Sequence, residues 1–243
     1  MITSLLVRLT LLLPPQIPVL CYHQIRDWRP TDRRVNKEYI MPPATFRARM
    51  KMLADSGYHT IQPDELYAHL TKGTPLPAKP IMITFDDTDA DQYNIARPEL
   101  AKYGFKGVYF ITFNNINKNK YYMTRAQIRQ LADEGNTISC HTLDHPSLAK
   151  VKPADLAAQL ETPKQKLELL TGRPVKYLAY PFGVWNKRLL PEVQRFGYTA
   201  AFSLDQPRDP QYPLMTIRRI IDNGGGSQAR FDYLIKHGFG KRQ

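Results

Sequence analysis

The seven residues Ile81-Met82-Ile83-Thr84-Phe85-Asp86-Asp87 run from an apolar, β-branched segment straight into two adjacent carboxylates. The first five read as a buried strand, because a short run of such residues suits a pleated surface covered on both faces. Two aspartates in a solvated turn would close that strand cheaply. The alternative is a strand end that delivers both carboxylates to a site. A cation must then offset them, since like charges this close resist joint ionisation.

Working outward, Ile17 to Tyr22 is a predicted strand, and Pro43 to Ser56 a helix whose Phe46, Met50 and Leu53 share a face before Gly57 ends it. A short helix over Pro63 to Thr71 precedes the quoted strand, and one over Asp91 to Tyr103, closed by Gly104, follows it. Next come a strand Val108 to Thr112, a helix opened by the capping box Thr124-x-x-Gln127, and a strand Thr137 to Cys140. The second half repeats the pattern: helix Pro153 to Leu170 before Gly172, strand Val175 to Tyr180, helix Lys187 to Phe196, strand Thr199 to Ser203. A short terminal helix, Ala229 to His237, follows Asn223-Gly-Gly-Gly226. This alternation predicts parallel βαβ units in an α/β fold, and about seven strands suit a closed barrel better than an open doubly wound sheet. No G-x-G-x-x-G or G-x-x-x-x-G-K-[ST] phosphate loop is present, which argues against nucleotide binding.

The 243 residues fit one domain with a full core, and 42% hydrophobic content argues against disorder. Residues 1–16 (MITSLLVRLTLLLPPQ) form a separate apolar segment, a degenerate signal or anchor too short to span a bilayer, ahead of a domain over 17–243. That segment favours a place outside the cytoplasm. The net charge of +12 predicts attraction to anionic surfaces. It is dispersed over two loose clusters, Arg26, Arg29, Arg33, Arg34 and Lys37, then Lys118, Lys120 and Arg125. No groove-reading or base-stacking module accompanies them, so nucleic acid is not an expected partner. Cys21 and Cys140 are too few for a disulfide framework, and buried free thiols are the default, with a bridge between them left open.

If the sheet is parallel, the strand ends converge on one face. His23 follows the first strand, Asp86 and Asp87 another, and His141 and His145 a third, while His59, His69 and His237 have no such setting. The His141-x-x-x-His145 spacing places two imidazoles on one side of a turn, able to bind one metal ion. Thr142, not Glu, follows the first His, so the segment lacks the general base of H-E-x-x-H and one must come from elsewhere. Asp87 can supply the third ligand and Asp86 the base, which gives each of the paired aspartates a task. Two histidines and a carboxylate also serve non-haem iron, but the usual close spacing of His and carboxylate on one strand is missing.

At this point the residues resemble the polysaccharide deacetylase family of metal-dependent carbohydrate esterases. Thr84 to Thr88 (TFDDT), His141 to His145 (HTLDH) and Ala179 to Gly183 (AYPFG) are similar to its three motifs. Pro18 to Ile25 (PVLCYHQI) and Ser56 to Ile61 (SGYHTI) resemble the subgroup acting on poly-β-1,6-N-acetylglucosamine in biofilm matrix. The resemblance implies a distorted (β/α) barrel, hydrolysis of N-acetyl groups on an acetylated polysaccharide, and a divalent metal. Zinc suits the donors, and cobalt or nickel would fit them too. By carry-over, Asp86 is the base, Asp87, His141 and His145 are metal ligands, and Pro181, Phe182 and Gly183 shape the acetyl pocket. The Phe182 backbone N–H would help hold an oxyanion. Phe182 and Trp185 offer aromatic faces to a sugar ring, or belong to the core. Thr88 stands where the family commonly has Gly, Ala179 where many members carry an Arg that orients the base, and Phe182 where Tyr is frequent. No Leu-x-His motif supplies the acid, so His23 takes that role, with His237 as fallback. An O-acetyl esterase on another glycan, an inactive carbohydrate-binding protein of the same fold, and an anion-binding surface protein are the competing readings.

Overall fold

Alternate residues of a strand face opposite ways, and in the computed structural model, which describes residues 17–238, this alternation sorts the strands into a barrel interior and an outer layer. The apolar segment 1–16 lies outside the described residues.

In chain order the elements are β1 (Val19–Tyr22), the short β2 (Gln24–Ile25) and β3 (Ile40–Met41), α1 (Pro43–Asp55), β4 (His59–Thr60), α2 (Pro63–Lys72) and β5 (Pro80–Phe85). A π-helical turn, Gln92–Ala96, runs into α3 (Arg97–Ala101), followed by β6 (Gly107–Ile111), α4 (Arg125–Asp133) and β7 (Thr137–Cys140). The chain then forms α5 (Leu156–Thr171), β8 (Tyr177–Ala179), α6 (Leu189–Arg195), β9 (Ala200–Ser203), β10 (Ile217–Arg218), β11 (Ile220–Ile221) and α7 (Gln228–His237). The predicted helices and strands are all present. Their ends follow local chemistry: α2 starts in a capping box between Gln62 and Glu65, α4 in the expected one between Thr124 and Gln127, and α2 stops at a left-handed Gly73.

The main sheet is parallel throughout, in the order β10-β9-β8-β7-β6-β5-β1-β11, with β4 beside β5. One segment, Ile217 to Ile221, pairs with β9 at its start and with β1 at its finish. Only Arg219 separates the two pairings, so this segment closes the barrel. It exceeds the expected strands because two-residue pairings around an arginine give no run long enough to read as a strand.

The barrel interior is filled by Val19, Met82, Val108, Phe110, Tyr177, Ala179, Ala200, Phe202 and Ile217. The opposite faces of the same strands, including Leu20, Tyr22, Ile83, Phe85, Tyr109 and Ile111, pack under the helices with Phe46, Met50 and Leu53 of α1. Period-two counting from Met82 through Thr84 places Asp86 on the interior side, and from Ile217 it places Arg219 there too. Cys21 and Cys140 are buried free thiols. No helix among the described residues is long and apolar enough to cross a membrane.

Candidate metal and acid–base site

Beyond the C-terminal ends of β1, β5 and β7 the chain brings His23, Asp86, Asp87, His141 and His145 together. The Asp87 carboxylate lies 3.5 Å from His141 Nε2 and 3.3 Å from His145 Nε2. One donor atom from each of these three residues lies within 4.8 Å of the other two, a spacing that fits one small cation. His23 approaches Asp86 as well, its Nε2 3.9 Å from Asp86 Oδ2. His237 is exposed on α7 with its ring on Tyr233, so the fallback acid is not among these neighbours.

The donor set carries its own test of whether a cation fits. His141 Nδ1 lies 2.8 Å from the carbonyl oxygen of Ala179. A carbonyl only accepts, so Nδ1 carries the proton and a neutral His141 turns the Nε2 lone pair toward Asp87 Oδ1 and toward Asp86 Oδ2, 3.7 Å away. Acceptors facing acceptors in a buried place call for positive charge between them. A metal ion meets that need, and the Nδ1–carbonyl bond is the usual orienting contact behind a metal-binding imidazole.

Asp87 separates from Asp86 through backbone strain. Asp87 and Thr88 have φ of 77° and 76°, and Thr142, His145 and Phe182 are also left-handed at 70°, 63° and 61°. Such values are rare for residues with a Cβ and gather at functional sites. At Asp87 the turn swings the carboxylate out of the strand's alternation toward the imidazoles, while Asp86 keeps the interior position. The φ at Thr88 explains why glycine suits that position. Here the Thr88 hydroxyl compensates, accepting from Thr112 N at 2.9 Å and lying 3.3 Å from the Thr112 carbonyl it donates to.

Sequence reasoning missed Arg219. Its guanidinium donates Nη1 to Asp86 Oδ1 at 2.7 Å and Nη2 to Oδ2 at 2.8 Å, and both side chains are almost fully buried. Arg219 Nη1 also reaches Thr84 Oγ1 at 3.2 Å, and its Cζ lies 5.2 Å from the centre of the Phe110 ring. Ala179 therefore leaves no gap: the arginine expected from β8 arrives instead from the segment that closes the barrel. A signal existed, since Arg218-Arg219 interrupts an otherwise apolar, β-branched run from Thr216 to Ile221. Gln92 was missed as well. The π-helical turn points its buried amide at the carbonyls of His23 (3.0 Å) and Asp86, tying two strand ends together.

Charge follows from this geometry. Burial pushes Asp86 upward, but Arg219, His141 and His23 outweigh it and hold the carboxyl well below the usual range. Asp87 is likewise raised by burial and brought down overall by the three imidazoles. Burial lowers His141, yet Asp86 and Asp87 carry it above an ordinary histidine. His145 falls through burial and the charge of His141, and His23 through burial.

The third motif forms a tight turn, Pro181–Gly183, beside this cluster. The Phe182 ring is 57% exposed and meets His145 edge to face at 4.7 Å. Gly183 is required, because a Cβ there would come within 2.5 Å of Leu204 Cβ. Trp185 packs against the main core instead of standing free, with its indole Nε1 buried and without a hydrogen-bond partner among the described residues.

The sequence pattern of the family described as Polysaccharide deacetylase matches residues 73–201, which carry all three motifs and the aspartate–histidine cluster. The chain belongs to that family. A relative named for it, YxkH of Bacillus subtilis (strain 168), is 31% identical over 185 residues, covering 76% of this chain. The chain spans 63% of that relative's length. A poly-beta-1,6-N-acetyl-D-glucosamine N-deacetylase of Staphylococcus aureus is 24% identical over 217 residues, covering 82% of this chain and 72% of the relative. Among solved structures, the Streptococcus pyogenes deacetylase PplD in complex with acetate superposes with a TM-score of 0.83 at 24% identity, over 91% of this chain and 99% of that one, which shows the shared barrel. Within the family's frame, the arginine paired with Asp86 comes from between β10 and β11, not from the third motif on β8.

Proposed function

We propose that this chain is a metal-dependent hydrolase that removes N-acetyl groups from an N-acetylglucosamine-containing polysaccharide. The observation that carries the reading is the pairing of two differently held aspartates: Asp87 with His141 and His145, and Asp86 locked to Arg219. Family membership supports deacetylation, and the Staphylococcus aureus relative, by its name, supports the N-acetylglucosamine polymer.

Asp87, His141 and His145 would hold the cation. When bound, it supplies Lewis acidity toward the acetyl carbonyl and lowers the pKa of water. Arg219 keeps Asp86 ionised and fixes its plane, so a carboxylate oxygen stands ready to take the proton of the attacking water. His23 lies within 3.9 Å of that oxygen. The burial that makes His23 a weak base makes its protonated form a ready donor to the leaving nitrogen. The Pro181–Gly183 turn would border the acetyl group, with the exposed Phe182 ring against the sugar and its backbone N–H toward the developing oxyanion.

Replacing Asp86 by Asn tests the assignment. The variant should bind zinc like the parent while kcat for acetate release falls by about 10²–10⁴-fold. Parental turnover in the variant would remove Asp86 from the mechanism. Release confined to O-acetylated glycans would make the protein an O-acetyl esterase with the same machinery.

A further inference from the structure

The strand ends that deliver His23 and the two aspartates continue into the walls of a second cavity of about 520 Å³. Gln24 and Ile25 follow His23 along one wall, and Asp89, Ala90 and Asp91 follow the Asp86–Asp87 pair along another. Tyr121 and Tyr122 close it, held in place by the Ala90 N–Tyr121 O hydrogen bond of 2.8 Å and by backbone bridging of Asp89 to Tyr122. This wall is therefore built before any ligand arrives.

Two of its carboxyl groups are short of donors. Asp89 is only 7% exposed, and no hydrogen bond or ion pair reaches its carboxylate among the described residues. Asp91 Oδ1 is buried and has no partner among the described residues, although the backbone N–H groups of Ile25 and Gln92 donate to the same carboxyl. A buried carboxylate oxygen without a donor is costly, so a ligand hydroxyl that donates to it is favoured here. Arg29 overhangs the Tyr121 ring at 5.9 Å and Lys120 at 5.4 Å, so the rim carries donors of its own for oxygen acceptors. The two basic clusters of the sequence meet here. Inward acceptors, an aromatic wall and rim donors together match a ring bearing several hydroxyls, and the volume lies within the range of small-ligand sites.

We propose that this cavity is a subsite for one neutral, non-reacting pyranose residue of the polysaccharide, with Asp89 and Asp91 accepting from its hydroxyls and Tyr121 against its face. The proposal rests on the deacetylase reading for its substrate class. A subsite here anchors a remote sugar equally in the ground and transition states, which lowers the KM of longer oligomers and leaves kcat unchanged.

The test uses the N-acetylglucosamine tetramer and monomer with the parent protein, Tyr121→Ala and Asp91→Ala, with melting curves confirming the fold. The Kd of the tetramer is measured calorimetrically on chelator-treated protein, and acetate release on zinc-loaded protein. Each substitution should weaken tetramer binding and raise its KM by about 3–10-fold, the range of one lost aromatic or polar contact, while monomer hydrolysis and kcat hold. Tetramer binding unchanged by both substitutions, or undetectable in the parent, overturns the subsite whether or not acetate is released. Substitution-sensitive binding without acetate release supports the subsite and instead overturns the deacetylase reading.

Discussion

Arg219 and Asp86, 133 residues apart, meet through two parallel hydrogen bonds of 2.7 and 2.8 Å inside the barrel. The same residue that closes the sheet between β9 and β1 thus also sets the orientation of the proposed base. Fold closure and site chemistry are coupled through one side chain.

Breaking that pair from one side leaves a buried carboxylate uncompensated. Arg219→Met should cost about 3–5 kcal/mol in denaturant unfolding. The double variant Asp86→Asn, Arg219→Met should regain much of the loss, since neither charge remains. Arg219→Lys keeps the charge but not the fork, so it should retain more stability than Arg219→Met and still turn over more slowly than the parent. Additive losses in the double variant would show that the two residues are not energetically paired.

Thr88 separates strain from hydrogen bonding. A left-handed threonine costs about 1–3 kcal/mol, offset here by its hydroxyl on Thr112. Thr88→Ala loses the hydroxyl and keeps an unfavourable φ, whereas Thr88→Gly loses the hydroxyl and relieves the strain. Melting temperatures should rank parent and Thr88→Gly above Thr88→Ala. Thr88→Gly falling below Thr88→Ala would contradict the strain account.

Metal binding should appear as stability. A ligand held only by the folded chain adds about 2.7 kcal/mol at 100 times its Kd. Zinc should therefore raise the melting temperature of the parent, and chelation should reverse it. His141→Ala and Asp87→Ala should abolish the increment, whereas His59→Ala should leave it intact. An equal zinc response in His141→Ala would exclude the cluster as the binding place.

Asp91 gives a pH signature. Burial pushes its carboxyl up to about 6, against the lowering influence of backbone donors and Arg26. In the unfolded chain the group ionises near 3.9. Its contribution to stability therefore falls as pH rises from about 4 to 6, because only the unfolded state releases the proton there, and is flat above. Asp91→Asn should raise the melting temperature more at pH 7.5 than at pH 4. An equal effect at both values would show that Asp91 titrates normally.

Much of this was legible in the sequence for definite reasons. Phe46, Met50 and Leu53 mark the buried face of α1, and the apolar run before Asp86 marks β5, because long periodic segments expose their burial pattern directly. Period two also predicts that Asp86 shares the interior face with Met82 and Thr84. The closing strands were not legible, since β10 and β11 are two residues each and a buried arginine stands between them. The residues suggested separate tasks for Asp86 and Asp87, but not the backbone cause of their separation, a φ of 77° that an aspartate rarely adopts. Between the two readings of Trp185, sugar platform or core, periodicity could not choose, and the side chain is partly buried against the core.

The most direct test of the account is acetate release from N-acetylglucosamine oligomers by the purified protein, before chelation, after it, and after zinc is restored. The account predicts release that chelation abolishes and zinc recovers. Release that persists at full rate after complete chelation, or none from the zinc-loaded protein, would contradict it.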